Sequence, residues 1–218
     1  MKNLKAIIFD LDGTLIHSAP DMHAAVNVTL KALGRDTLDL HTIISFIGNG
    51  FEKLVEQSLD ATGRYDGSVR QTALDLYLKS YNQNITTLTR PYTGVVSALQ
   101  EFQRAGVTMG ICTNKLTKPA KEICARLNLM QFFKVIAGAE DCQPRKPDPA
   151  SLLNCIKDLS STPSKTLYVG DSTIDYFTAL NAGVPFRLFS NGYLNAPLPD
   201  LLEADRFEKW SAHGILAA

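Results

Sequence analysis

The side chains able to do chemistry sit in a few short polar clusters. The first closes the run Ala6-Ile7-Ile8-Phe9-Asp10-Leu11-Asp12-Gly13-Thr14-Leu15. Its four consecutive apolar residues read as a strand buried on both faces of a parallel sheet. The run ends in two carboxylates one residue apart. Ligands of open α/β sheets bind beyond the carboxyl ends of strands, so Asp10 and Asp12 stand where a site forms. Gly13 reaches backbone angles closed to other residues, which lets the chain turn sharply there. Two further apolar runs end in the same way, 107–112 in Thr113-Asn114 and 166–169 in Gly170-Asp171-Ser172, with Asp175 shortly after. A last cluster, Pro144-Arg145-Lys146-Pro147-Asp148-Pro149, is a proline-stiffened loop presenting a cation.

Each of these has a plain structural explanation when taken singly. Asp10 can cap a turn, and Thr113-Asn114 can be one. Lys146 can be a solvated loop lysine. Asp171 can cap the following helix, with Asp175 a surface acid in its first turns. Their conjunction argues otherwise, because parallel strands bring their ends together in one crevice.

The chemistry that wants such a set is phosphoryl transfer through an aspartyl phosphate. A carboxylate approaching a phosphate ester meets like charge, roughly 4 kcal/mol per pair of unit charges at 4 Å and an effective dielectric near 20. A divalent cation and a fixed ammonium offset that repulsion. Mg²⁺ suits oxygen ligands and few carboxylates, and no Cys/His cluster invites zinc. A second acid two residues after the first can reach the leaving group while Asp10 reaches phosphorus, so Asp12 reads as the proton carrier.

The elements that must position these groups follow from the periodicity. From Pro20, apolar residues recur at three- and four-residue steps to Leu33, and Gly34 stops the helix. Helices are expected at 41–46, 51–59 and 69–81, a loop at 61–67, and a polar linker at 82–89. After Pro91 the rhythm alternates: helices at 95–104, 119–127, 150–159 and 175–182, and strands at 107–112, 135–137, 166–169 and 186–189. This predicts a doubly wound parallel α/β sheet with right-handed crossovers. A helical block is inserted just after the first strand, where a lid over the crevice belongs. The expected organisation is a catalytic core of residues 1–16 and 91–218 with an inserted helical cap of residues 17–90.

Length and composition agree with a soluble globular protein. The 218 residues can bury a substantial core, and 45% apolar and 20% charged residues are ordinary for a globular chain. A formal net charge of zero offers no bulk attraction for nucleic acid. No stretch reads as a signal peptide or a membrane span, so the expected location is cytoplasmic and the expected partner a small phosphorylated substrate, with neither nucleic acid nor membrane. Oligomeric state has no signature here, and Leu201, Leu202, Phe207 and Trp210 of the tail are expected to pack the last turns onto the core. Cys112, Cys124, Cys142 and Cys155 lack metal-ligand spacing and read as core thiols.

The Asp10-x-Asp12-Gly13-Thr14 signature, Thr113-Asn114, Lys146 and Asp171/Asp175, in that order, resemble the motifs of the haloacid dehalogenase superfamily phosphatases. The resemblance implies a Rossmann-like core and a Mg²⁺-dependent phosphatase. It makes Asp10 the nucleophile and a metal ligand. Asp12 becomes the acid/base group, with its carbonyl on the metal. Thr113, Asn114 and Lys146 become the phosphoryl-binding groups, and Asp171 the further metal ligand. Thr14 and Asp175 become supporting groups behind them. The inserted helices resemble the small four-helix cap of the superfamily, in which Gly48-Asn49-Gly50 precedes a helix. Bare glycine-rich sequence there is a loop; functionally, such amides can hold an anion such as a carboxylate. The opening run through Pro20-Asp21, with Ile47 to Gly50 and Thr113-Asn114-Lys115, looks most like the phosphoglycolate phosphatase group. Sugar phosphates, nucleotides and pyrophosphate remain alternative substrates.

Two neighbouring families fit less well. Phosphonoacetaldehyde hydrolases carry a small residue where Asp12 stands and a Schiff-base lysine in the cap. Lys53 reads instead as a surface residue. The β-phosphoglucomutases typically have Val or Ile where this chain has Thr14. A phospho-acceptor signalling module also places an Asp at a strand end, but it gains nothing from Asp12 or from an inserted helical block. No Gly-x-x-x-x-Gly-Lys loop is present.

Overall fold

The computed structural model describes residues 4–139 and 144–216. In chain order its first half contains β1 (Ala6–Phe9), β2 (Ile16–His17), α1 (Ala19–Ala32), α2 (Leu40–Phe46), α3 (Phe51–Ala61), α4 (Gly67–Gln83) and β3 (Arg90–Pro91). There follow α5 (Val95–Arg104), β4 (Thr108–Cys112), α6 (Thr117–Arg126), β5 (Val135–Ala137), α7 (Ala150–Asp158) and β6 (Thr166–Gly170). The chain closes with α8 (Thr173–Ala182), β7 (Phe186–Phe189), β8 (Arg206–Phe207) and α9 (Ala212–Leu216).

Six parallel strands form one sheet in the order β5-β4-β1-β6-β7-β8. From β1 the chain winds outward through β4 to β5. It then crosses back to β6 and winds the other way through β7 and β8. The reversal makes a switch point beside β1, where a crevice opens at the carboxyl ends. Phe9 lies opposite both Ile111 and Val169, so Asp10, Thr113 and Asp171 emerge side by side at the same edge.

Strand alternation explains the two cores. Ile7 and Phe9 of β1 face one layer with Val95, Leu99 and Phe102 of α5, while Ala6 and Ile8 face the other with Leu152, Cys155 and Ile156 of α7. Because both faces are covered, β1 shows no polar alternation in sequence, which is why its run is wholly apolar. Cys112, Cys124 and Cys155 are buried, as expected; Cys142 lies outside the described residues. Among the described residues, no helix is long and apolar enough to cross a membrane.

Helices α1 to α4 pack on one another around Ile43, Leu54, Leu59, Leu74 and Tyr77. Their starts follow local chemistry. Asp39 caps α2 by accepting from the Thr42 amide at 2.7 Å, and Asp66 caps α4 through the amides of Ser68 and Val69. That cap moves the start of α4 to Gly67, ahead of the apolar pattern that begins at Val69.

Three features depart from the sequence expectation. The two crossings between the helices and the sheet pair as an antiparallel ribbon, Ile16 opposite Pro91 and His17 opposite Arg90. Two-residue strands carry no periodicity to read. The segment 82–89, expected as a linker, is tied down: buried Asp21 accepts from the amides of Leu88 and Thr89 and from the Thr89 hydroxyl, at 2.7–3.0 Å. Beyond β7 the tail adds a sixth strand and folds back. There Trp210 meets the rings of Phe9, Phe189 and Phe207 at 5.4–5.9 Å. Leu201, Phe207 and Trp210 are buried, but Leu202, also expected in the core, is 69% exposed.

Candidate active site

Asp10, at the end of β1, is buried, and its Oδ1 lies 3.0 Å from the Lys146 ammonium. That oxygen is in ion-pair contact without an aligned hydrogen bond and has no other partner. Lys146 comes from the loop before α7. It donates to Asp175 Oδ1 at 2.6 Å and to the Tyr168 hydroxyl at 2.9 Å. Asp175 is fixed on its other side too, where Oδ2 accepts from the Ser172 hydroxyl (2.6 Å) and from the amides of Ser172 and Asp171. The same contacts form a capping box at the start of α8. Asp171 accepts from the Thr14 hydroxyl at 2.5 Å and the Tyr193 amide at 2.7 Å.

The electrostatics separate these acids. Burial pushes the Asp10 carboxyl up to about 6, an effect that Lys146 offsets and that Asp175 and Asp12 reinforce. Burial, with the charges of Asp175 and Asp10, drives Asp171 well above the carboxylate range despite its bonds from Thr14 and Tyr193. Burial also opposes the charge on Asp175, but Lys146, Ser172 and Tyr168 overcome it and hold that carboxyl below its ordinary value. Burial works against the Lys146 ammonium, yet Asp10 and Asp175 keep it firmly protonated.

One oxygen from each of Asp10, Asp171 and Asp175 lies within 4.8 Å of the other two. Full ionisation of these three buried acids against one buried ammonium would leave two uncompensated negative charges, a charge that burial opposes. With Asp10 Oδ1 lacking a hydrogen bond, the three acids fit a hard divalent cation.

A cavity of about 400 Å³ separates this cluster from the helices. Asp10, Asp12, Thr113, Asn114 and Lys146 line its floor, and Phe51, Leu54, Tyr77 and Tyr81 its roof. Asp12 is gripped by Lys115, whose ammonium lies 2.9 and 3.2 Å from its two oxygens. Asn114 is a tie between segments: its amide nitrogen donates to the carbonyls of Gly48 and Lys146, and its oxygen accepts from the Lys146 amide, at 3.0–3.1 Å. Gly48 and Gly50 reach the cavity wall. Asn49 does not: it is exposed and absent from the lining. On α3, Glu52 is clasped by two 2.9 Å bonds from Arg145, joining the helical block to the Lys146 loop. Lys53 is half-exposed beside Glu56, as a surface lysine should be.

Several supporting groups have weak sequence signals. Lys115 follows the Thr113-Asn114 pair but has no distinctive spacing. Tyr168 sits inside an apolar strand, where its hydroxyl reads as incidental. Gly192-Tyr193 follows the last expected strand, β7, and that position at a carboxyl edge is the one clue to it. The Tyr193 hydroxyl also meets His17 Nδ1 at 2.8 Å and the Ala19 amide at 2.9 Å, locking the ribbon beside the site. A Cβ at Gly192 would overlap Asp171 and the Gly13 carbonyl, and one at Gly13, where φ is +86°, would overlap Asp171 as well. Gly192→Ala is therefore expected to destabilise the fold by about 1–3 kcal/mol, measured by urea unfolding. Wild-type stability in that variant would mean the loop is free to move aside.

A model of the family described as haloacid dehalogenase-like hydrolase matches residues 7–189, nearly the whole sheet and all of the inserted helices. The chain belongs to the haloacid dehalogenase-like hydrolases. This hydrolase is 42% identical over 200 residues to a protein named phosphoglycolate phosphatase from Cereibacter sphaeroides (strain ATCC 17025 / ATH 2.4.3), covering 91% of this chain and 90% of that one. A Rhodobacter capsulatus protein of the same name is 39% identical over 207 residues, with 95% and 94% covered. Among solved structures, a crystal structure described as a predicted phosphoglycolate phosphatase from Haemophilus somnus 129pt superposes with a TM-score of 0.86 at 27% identity, covering 89% of this chain and 88% of the other. Fold and relatives together make the hydrolase a phosphatase of its family, a phosphoric monoester hydrolase.

Proposed function

We propose that this hydrolase cleaves 2-phosphoglycolate to glycolate and phosphate in the cytoplasm, through an aspartyl phosphate on Asp10. The observation that carries the reading is the buried Asp10 carboxylate, backed by a fixed ammonium, opening on the same cavity as a second acid. The names of its relatives support the substrate.

In the first step an Asp10 oxygen attacks phosphorus. The ester P–O bond breaks, its electron pair goes to the alcohol oxygen, and Asp12 supplies the proton. In the second, water attacks the phosphorus of the acyl phosphate, Asp12 takes the water's proton, and the Asp10 carboxylate is regenerated. Lys146 lowers the repulsion between Asp10 and the incoming phosphate; at 3.0 Å its attraction for Asp10 is about 5 kcal/mol at an effective dielectric near 20. Thr113 and Lys146 contact the phosphoryl oxygens, while Asn114 holds their loop and Gly48 in place. The Asp10 and Asp171 side chains and the Asp12 carbonyl would hold Mg²⁺, with Thr14 and Asp175 keeping those acids in position. Bound Mg²⁺ supplies charge neutralisation for the attacking acid and the phosphate dianion. Residues 17–90 act as a lid over the core of residues 1–16 and 91–218.

Initial rates across 2-phosphoglycolate, sugar phosphates, nucleotides and pyrophosphate test the substrate, with and without EDTA. The highest kcat/KM is expected on 2-phosphoglycolate, lost on chelation and restored by Mg²⁺. A different ester preferred tenfold would overturn the substrate, and full activity in excess EDTA would overturn the metal. A phospho-acceptor module without turnover is the second reading. The cavity of about 400 Å³ beside Asp10 and Asp12 argues for an enzyme instead.

A further inference from the structure

The cavity has an uneven distribution of charge. Its roof is aromatic and aliphatic, with Phe51, Tyr77 and Tyr81 stacked within 7° of parallel at 5.5–6.3 Å. No Lys, Arg or His of the helical block lines it among the described residues. Any second anionic group on the substrate must therefore find its cation on the floor. Lys146 is engaged by Asp10 and Asp175 and faces the phosphoryl position. Lys118 is exposed at the mouth. The remaining cation is Lys115, whose side chain is only 7% exposed.

Lys115 is held from two sides. Its ammonium stands 4.9 Å from the centroid of the Tyr81 ring and grips both oxygens of Asp12. The ring keeps the charge in the cavity whether or not Asp12 stays bound to it. The grip on Asp12 is at odds with its task, because a carboxylate accepting from an ammonium on both oxygens is not placed to donate a proton to a leaving group.

We propose that Lys115 seats the carboxylate of the substrate, and that this carboxylate displaces Asp12, so that the substrate itself releases the acid/base group. The inference rests on the 2-phosphoglycolate reading and gives it a device for selection. A phosphoester with a second acid exchanges one carboxylate for another on Lys115. Asp12, freed, can turn to the ester oxygen and serve there as the acid of the first step. A phosphoester with a neutral tail leaves Asp12 tied. Lys115 thus positions Asp12 and also determines specificity.

The test compares 2-phosphoglycolate with ethyl phosphate, which replaces the carboxylate by a methyl group. Wild type is expected to favour 2-phosphoglycolate in kcat/KM by about 100-fold, and Lys115→Met to shrink that ratio by about 30-fold or more, with Lys115→Arg keeping part of it. In wild type, formate is expected to accelerate hydrolysis of methyl phosphate about threefold or more, the two small molecules supplying the two halves of the substrate. Lys115→Met is expected to lose that acceleration. A wild type that does not favour 2-phosphoglycolate would reject the substrate reading itself. With the wild-type preference present, a Lys115→Met ratio left unchanged, or wild type unmoved by formate, would overturn the role of Lys115. If Lys115→Met fails to fold, Lys115→Gln and the formate response of wild type decide the matter by the same criteria.

Discussion

Asp10→Asn is expected to lower kcat by about 10⁴-fold or more while making the metal-free protein more stable. The loss follows from chemistry: an amide neither attacks phosphorus nor leaves as a carboxylate. The gain follows from electrostatics. Burial raises the Asp10 carboxyl from 3.8 to about 6, so above that pH its ionised form costs about 3 kcal/mol of folding free energy. Because the folded-state value is the higher one, this contribution reduces stability as pH rises from about 4 to about 6. It is absent below that window and fully present above it. Thermal melts in EDTA at pH 4 and pH 7 should show the variant gaining on wild type only at the higher pH. A variant less stable than wild type at pH 7 would show that Asp10 is not an uncompensated charge.

Lys146→Met is expected to move stability the opposite way. The ammonium is the shared partner of Asp10 and Asp175, and it also meets the Tyr168 hydroxyl. Removing it strands two buried carboxylates, at a cost of about 3–5 kcal/mol in urea unfolding. Activity should fall about 10³-fold or more, because the phosphoryl group loses its fixed positive neighbour. Adding Asp10→Asn to Lys146→Met removes one stranded acid and should recover more than the about 3 kcal/mol that Asp10→Asn gains in wild type, whereas two independent sites would show equal gains. Simple additivity of the two changes would place Lys146 and Asp10 in separate networks.

What the sequence made legible was whatever depends on strand ends. An apolar run closing in Asp10-x-Asp12, and two more closing in Thr113-Asn114 and Asp171, can only meet if the strands are parallel neighbours, and β4, β1 and β6 are. Lys146 could be anticipated because prolines fix its loop. What stayed hidden depends on contacts between segments far apart in the chain. Tyr193 reaches Asp171 from 22 residues away, and Lys115 reaches Asp12 across 103. Neither partner changes the local pattern of apolar and polar residues. The β2–β3 ribbon and β8 were missed because two residues are too few to show a period. Leu202 departs from expectation for a related reason: beyond β7 the tail is irregular, and which of two adjacent leucines faces inward depends on packing alone. Asn49 shares its motif with two glycines, yet of that trio only Gly48 and Gly50 border the cavity.

The central claim is that phosphorus passes through the Asp10 carboxylate. Its most direct test is to mix the Asp12→Ala variant, in which both formation and breakdown of the intermediate are slowed, with 2-phosphoglycolate and Mg²⁺. Acid quench and borohydride reduction convert an acyl phosphate to the corresponding alcohol, and the peptides are then sequenced by mass spectrometry. The account predicts homoserine at position 10, appearing only with substrate and absent when Asp10 is also replaced by Asn. Reduction at a different acid, or sustained turnover with no modified residue at any time point, would contradict it.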